Sequence, residues 1–200
     1  MNDNSETPRN EILNCINRRR STRAFEDIPL TRSELDLILE AAIWAPSAGN
    51  NQSWQFTAVQ NKEKLFILNS LVRTALQRWI PGDEYLLKQG AKQGAQREGY
   101  NFHYHSPLLL IASNRANYEN GMADCALAME NVFIAAESIG LGSCYINHLF
   151  WLQEDPDLSS YLYELGIPRE HTICSSACIG KIKRASEPRK RKPGTIKLVL

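Results

Sequence analysis

PLLLIAS, residues 107–113, sets the layering of this chain: from Pro107 the apolar run is unbroken until Asn114. A strand with one wet face alternates apolar and polar side chains, whereas a run without alternation belongs to a strand covered on both faces. The stretch therefore predicts a sheet lying between two helical layers. Downstream, YENGMADCALAMENVFIAAESIG (118–140) is the longest helical pattern, apolar over half its circumference or more, and Gly140 closes it. SCYIN (143–147) and TICSSACIG (172–180) read as further strands. Between them, Asp155-Pro156 opens a helix with Leu158, Tyr161, Leu162 and Leu165 on one face, ended by Gly166.

Upstream, SWQFTAV (53–59) predicts a strand from Trp54 to Val59, followed by a helix striped by Leu65, Leu68, Val72, Leu76 and Trp79. TRSELDLILEAAIWAP (31–46) begins with the capping pair Thr31 and Glu34. It places Leu35, Ile38, Leu39, Ala42 and Ile43 on one face and stops at Pro46. Glu11 to Asn17 sets Ile12, Leu13 and Ile16 at helical spacing. Residues 83–99 are polar and predict a surface helix or an excursion. Helices and strands interleave without repeats, so the pattern is α/β or α+β, one domain over residues 1–200.

Composition excludes several classes. With 43% hydrophobic and 22% charged residues, and a mean hydropathy of -0.37, the chain reads as a soluble globular domain. No stretch reaches the roughly 18 apolar residues of a membrane span. The opening MNDNSETPRNE lacks a signal-peptide core, so a cytoplasmic location is expected. Five cysteines, odd in number and without a C-x-x-C pair, predict reduced and mostly buried thiols.

Charge is balanced overall, at +1, but uneven. RRRSTRAF (18–25) holds four arginines, and residues 181–200 hold eight Lys/Arg against one acid, Glu187. Three readings compete: a nucleic-acid patch, solvated basic ends, or a cradle for one small anion. A pI of 7.6 and clusters without internal aromatics speak against nucleic acid. Arg18 to Arg20 also sit where cations complement a helix C-terminus, and 189–192 taken alone fits a solvated tail.

Familiar catalytic patterns are missing. There is no P-loop, no H-E-x-x-H and no G-x-S-x-G. Gly140-Leu141-Gly142 follows a helix, so it closes that helix and starts a strand rather than binding a dinucleotide. His103 and His105, two apart, would share one strand face, but no carboxylate or cysteine pattern beside them makes a metal site. Arginines without acid/base machinery suggest an anionic cofactor that carries the chemistry. The guanidinium fork suits phosphate, and Ser21 and Thr22 add hydroxyl donors.

RRSTRAF (19–25), AAIWAPSAGNNQSWQF (41–56), AAESIGLGSCYIN (135–147) and the tail GKIKRASEPRKRKP (180–193), in this order, resemble the FMN-dependent nitroreductase family. The resemblance runs from about Glu11 to Val199 and leaves only 83–106 unmatched. It implies an α+β, three-layer fold with a central, mostly antiparallel sheet flanked by helices. It also implies an intertwined homodimer whose two FMN molecules lie at the interface, with tail 183–200 completing site and dimer. The implied activity is an oxidoreductase in which NADH or NADPH reduces bound FMN, and FMN then reduces a small acceptor such as a nitroaromatic or quinone by a ping-pong mechanism. Relatives with other flavin reactions (dehalogenation, flavin breakdown, dehydrogenation) and a non-enzymatic flavin binder are the alternatives.

By the same resemblance, Arg19, Ser21 and Arg23 hold the FMN phosphate, and Arg20 contributes through its backbone. Arg191 closes on the phosphate with Arg189 as helper, Lys190 competing by one residue of register. Pro46, Ser47 and Ala48 pack on the flavin ring. Asn50 and Gln52 reach the ring of the other subunit's site, with a turn-forming role as the alternative for Asn50. Two departures stand out. Ser53 replaces a proline after Gln52, and Asn147-His148 replaces the Gly-Gly or Glu-Gly that ends the strand beside flavin N5. An imidazole at His148 with an ordinary pKa would make turnover depend on pH between about 6 and 8.

Overall fold

The computed structural model describes residues 10–80, 86–188 and 190–199. Seven helices and four strands follow one another as α1 (Glu11–Arg18), α2 (Arg32–Ile43), β1 (Gln55–Val59), α3 (Lys62–Arg78), α4 (Leu86–Ala95), β2 (Leu108–Arg115), α5 (Gly121–Ser138), β3 (Leu141–Ile146), α6 (His148–Leu152), α7 (Pro156–Glu164) and β4 (His171–Lys181) among the described residues. The strands form one antiparallel sheet in the order β1-β2-β4-β3.

The apolar run at 107–113 does what its composition demands. Leu108, Leu110 and Ala112 face a core shared with Ile38 and Ala42 of α2 and Cys125, Met129, Val132 and Ala136 of α5. Leu109 and Ile111 point the other way, into a core with Leu65, Leu68 and Val72 of α3, Leu149 of α6 and Leu158 of α7. All five of these β2 side chains have 0% exposure. Three layers follow, with the sheet in the middle.

Local signals set the helix ends. Thr31 and Glu34 form a reciprocal capping box at α2, with the Thr31 amide donating to Glu34 Oε2 at 2.6 Å. Asn10, Asn61 and Asp155 cap α1, α3 and α7 through their side chains. Gly140 follows α5 at φ 77°, a left-handed turn that glycine adopts without a Cβ clash.

One sequence expectation needs correction here. His103 and His105 do not share a strand face: residues 102–105 form a turn, because the Asn101 side chain accepts the amides of both His103 and His105, and Tyr104 and His105 take φ of 54°. The polar stretch contains the helix it predicts, α4, and two lysines tie it to the rest of the fold. Lys88 Nζ donates to the Trp151 carbonyl at 2.8 Å, and Lys92 Nζ to the Gln77 carbonyl at 3.0 Å. In the tail, Ile196 and Leu198 stay 83% and 77% exposed.

One further pairing positions the site. Residues 21–26 run beside the sheet. The Thr22 amide donates to the Ser143 carbonyl at 2.8 Å, Phe25 bridges to Ile182, and the Lys183 amide donates to the Ala24 carbonyl at 3.0 Å. The backbone of β3 comes unusually near: a Cβ on Gly142 would lie 2.6 Å from Thr22 Oγ1 and 2.8 Å from Ile182 Cγ1. That approach carries the first arginine cluster up against the tail.

Candidate functional site

The two basic clusters meet in one cleft. Arg19, Arg20, Ser21 and Arg23 line it from the N-terminal segment, and Arg184, Ala185, Ser186, Glu187 and Arg191 from the tail, around ≈ 530 Å³. The Ser186 hydroxyl donates to the Ser21 carbonyl at 3.0 Å and fastens one wall to the other. Five arginines and one acid, Glu187, therefore line the cleft among the described residues. Such a surplus is repulsive unless a multivalent anion fills it.

The arginines of 18–23 are not equivalent. Arg18 lies outside the cleft, paired with Glu11 at 2.9 Å and Glu137 at 3.3 Å, where it ties α1 to α5. Arg20 spends its guanidinium on the Asn17 and Arg19 carbonyls, at 2.6 and 2.8 Å, as a helix C-terminal cap. Arg19 and Arg23 keep theirs for the cleft, over the Phe133 and Tyr104 rings respectively, each at 5.9 Å from the centroid. On the tail side Arg191, and not Lys190, lines the cleft; Arg189 lies outside the described residues.

Beside the cleft is a slot of ≈ 270 Å³ between the β3–α6 corner and the excursion. Tyr145, Ile146, Asn147, His148 and Trp151 form one wall; Leu87, Ala91 and residues 100–102 with Tyr104 form the other. Among the described residues no carboxylate, ammonium or guanidinium lines it. Lys88 of α4 turns its ammonium away, to the Trp151 carbonyl and the Trp79 ring at 4.5 Å from the centroid. Tyr104 belongs to the slot while Arg23, over its ring, belongs to the cleft, so the two spaces adjoin.

His148 enters this slot as a neutral group. Its Nε2 shares a 3.0 Å hydrogen bond with the Tyr100 hydroxyl, and its ring packs against Phe102 and Trp151 at 5.5 and 5.6 Å. Burial lowers its pKa to about 4 and pushes the Tyr100 hydroxyl up to about 12. The expected titration of His148 between pH 6 and 8 is therefore absent. Burial, aided by the neighbouring His105, lowers His103 to about 4 as well.

The sign of the consequence for stability follows. Between pH 4 and 6.5 the unfolded chain binds protons at these rings that the folded chain does not, so stability is full above 6.5 and falls as the pH drops toward 4. Thermal melts across that window should show a shallower acid-side loss for His148→Gln than for the unmodified protein. Parallel curves would mean the ring does not stay neutral on folding.

The loop from Pro46 to Gln52 lines neither space. Pro46, Ala48, Asn50 and Gln52 are exposed and Ser47 is half-buried. Gly49, Asn50 and Gln52 all take left-handed φ, at 59°, 55° and 49°. For the two non-glycine residues that conformation costs about 1–2 kcal/mol each. The Gln52 amide donates to Ser47 Oγ at 3.1 Å and its side chain to Asn50 Oδ1 at 2.8 Å.

Sequence reasoning missed Arg184 and Ser186, which a tail read as GKIKRAS already offered, and Tyr100 and Tyr104 in the unmatched excursion. The five cysteines are buried and free, as expected. No helix among the described residues is long and apolar enough to cross a membrane.

Against known proteins, the model of the nitroreductase family matches residues 16–181. The fold superposes on a crystal structure of a nitroreductase with bound FMN from Bacteroides fragilis NCTC 9343. The TM-score is 0.87 and the identity 35%, covering 96% of this chain and 100% of that one. An FMN reductase (NADPH) of Bacillus subtilis is 31% identical over 68% of this chain, which spans 54% of that relative's length. An NADPH-flavin oxidoreductase of Vibrio harveyi is 23% identical over 94% of this chain and 72% of its own length.

Proposed function

Because the chain belongs to the nitroreductase family, we propose that it is an oxidoreductase that holds FMN and uses NADH or NADPH to reduce a small acceptor. The observation that carries this reading is the adjoining pair of spaces: a cleft of five arginines next to a slot walled by uncharged and aromatic side chains. A ligand that fits both has an anionic phosphate at one end and a flat ring at the other. FMN has that form, and it would supply two-electron chemistry, taking hydride from the nicotinamide and passing it to a nitroaromatic, quinone or similar acceptor in ping-pong order.

The roles of the residues follow from their chemistry. Arg19, Arg23, Arg184 and Arg191 supply charge-assisted donors to the phosphate, with Ser21 and Ser186 beside them. Tyr104, Tyr145 and Trp151 offer faces and edges for a planar ring and exclude water. Asn147 and His148 lie at the end of β3 on the slot wall, where a backbone amide can meet the ring's polar edge. His148 contributes no charge there, so it leaves the electrostatics of the ring to the dipoles around it.

Purified protein is expected to be yellow and to bleach when NADH or NADPH is added without oxygen. Colourless protein that takes up no added FMN sinks the proposal.

A homodimer completes this reading. Large apolar side chains stay at the surface of a single chain: Ile12 on α1, Ile43 and Trp44 at the end of α2, Met122 and Leu127 on α5, and Ile196 and Leu198 in the tail. Together with the loop 46–52, which reaches neither space in its own chain, they suit a second copy that receives the tail and lends the loop. Interfaces of this obligate kind bury more than ~2,000 Å² and leave no stable monomer. Sedimentation at low micromolar concentration should give twice 22.7 kDa, and deleting residues 195–200 should lower both stability and flavin content. A flavin-loaded monomer would remove Asn50 and Gln52 from the neighbouring site.

A further inference from the structure

The left-handed loop at 46–52 needs something outside itself to keep its shape. Strained backbone of this kind persists only where the surroundings hold it, and it gathers at functional sites. Most of its hydrogen bonds run from loop to loop: the Asn50 amide to the Ser47 carbonyl at 2.9 Å, the Asn51 amide to the Ala48 carbonyl at 3.2 Å, and the Gln52 bonds given above. Among the described residues, two side-chain bonds tie residues 46–52 to the rest of the fold, and both land on Ala48. Its amide donates to Asp124 Oδ1 at 3.1 Å, and its carbonyl accepts from the Tyr118 hydroxyl at 3.3 Å.

Asp124 is an unusual residue for its place. It sits in the first turn of α5, 3% exposed, one position before Cys125 and four before Ala128, both at 0%. The positive end of the helix favours an acid there. Burial of a carboxylate still costs stability unless its oxygens are bonded, and Oδ2 has no partner among the described residues. A side chain needed only for packing at this position would be apolar like its neighbours. What the carboxylate does is accept the Ala48 amide, 76 residues away in the chain.

We infer that Asp124 is a positioning residue that anchors Ala48 and so holds Asn50 and Gln52 in their left-handed conformations, aimed at a flavin. The aim rests on the proposed FMN reading; the anchoring does not. Two measurements separate them. Hydrogen exchange on flavin-free protein reads the loop alone, and titration with FMN, followed by quenching of its fluorescence, reads the site.

In Asp124→Ala, the amides of 48–52 should exchange roughly tenfold faster while those of β2 and β4 are unchanged, and FMN should bind roughly tenfold more weakly, as for a lost buried hydrogen bond. Asp124→Asn keeps the accepting oxygen at the same reach and should restore both readouts to about threefold of the unmodified protein or better. Tyr118→Phe, which removes the tie to the Ala48 carbonyl, should move both in the same direction by less. Unchanged loop exchange in Asp124→Ala overturns the anchoring, as does an Asn variant as impaired as the Ala variant. A loosened loop with unchanged FMN affinity overturns the aim toward flavin. Should Asp124→Ala fail to fold, unchanged loop exchange in Tyr118→Phe overturns the two-tie anchor. A loosened loop in a protein that binds no FMN supports the anchoring and removes the flavin reading instead.

Discussion

Replacing Arg23 with alanine should leave a folded protein that is colourless at micromolar FMN. Arg23 lines the basic cleft and lies over the Tyr104 ring, at the junction of cleft and slot. On the proposed reading, removing it takes away a charge-assisted donor to the phosphate and loosens the wall that the ring would meet. One such bond is worth about 1.5–3 kcal/mol, or roughly ten- to a hundredfold in affinity. Arg19→Ala should behave alike. Arg20→Ala should lose less, because its guanidinium already serves the Asn17 and Arg19 carbonyls. Fluorescence-quench titrations, with far-ultraviolet circular dichroism as the check on folding, distinguish these outcomes. An Arg23→Ala protein that keeps full affinity would strip the cleft of its phosphate role.

The second large effect is expected at a residue that touches no ligand. Gly142→Ala puts a methyl group 2.6 Å from Thr22 Oγ1 and 2.8 Å from both Thr22 Cβ and Ile182 Cγ1. Thr22 is 3% exposed, and its Cβ is fixed by the backbone, so no χ1 rotation takes it out of the way. The segment 21–22 must move off β3, weakening the 2.8 Å bond from the Thr22 amide to the Ser143 carbonyl. Overpacking of this kind costs about 1–3 kcal/mol, which lowers the melting temperature of a chain this size by roughly 2–10 °C. Flavin affinity should fall with it, because Arg19, Ser21 and Arg23 ride on the displaced segment. A variant that melts within a degree of the parent and keeps its flavin would show that the close approach carries no function.

What could be read from sequence was whatever depends on near neighbours along the chain. The 107–113 run gave a two-sided strand because the side-chain period is two, and Thr31 with Glu34 marked a helix start because the box closes over three residues. The arginine motif and the tail could be matched to a known pattern, but why they meet lies elsewhere. Arg184 and Ser186 reach the cleft because Phe25 pairs with Ile182, and the Ser186–Ser21 contact spans 165 residues. No local period announces such a contact.

The two histidine errors have different physical origins. His103 and His105 were placed on a strand by spacing alone, and the Asn101 side chain, by accepting two amides, bends that segment into a turn. His148 lines the slot, but an imidazole's charge is set by what buries it. The residues that do so, Phe102 and Tyr100, lie in the stretch that matched nothing. Asp124 shows the same limit: an acid in the first turn of a helix is ordinary until a distant loop is found donating to it.

The order of the sheet also has a consequence for how the protein is made. Of the four strands described, β4 is synthesised last, yet it lies between β2 and β3. Until residues 171–181 leave the ribosome, β1 and β2 can pair but β3 has no strand to join, and two apolar edges wait open side by side. Such edges are where nascent chains stick to one another. The tail that completes the arginine cleft emerges later still. A chain stalled before residue 171 has neither the middle of its sheet nor a complete arginine cleft, so on the proposed reading flavin capture belongs after translation.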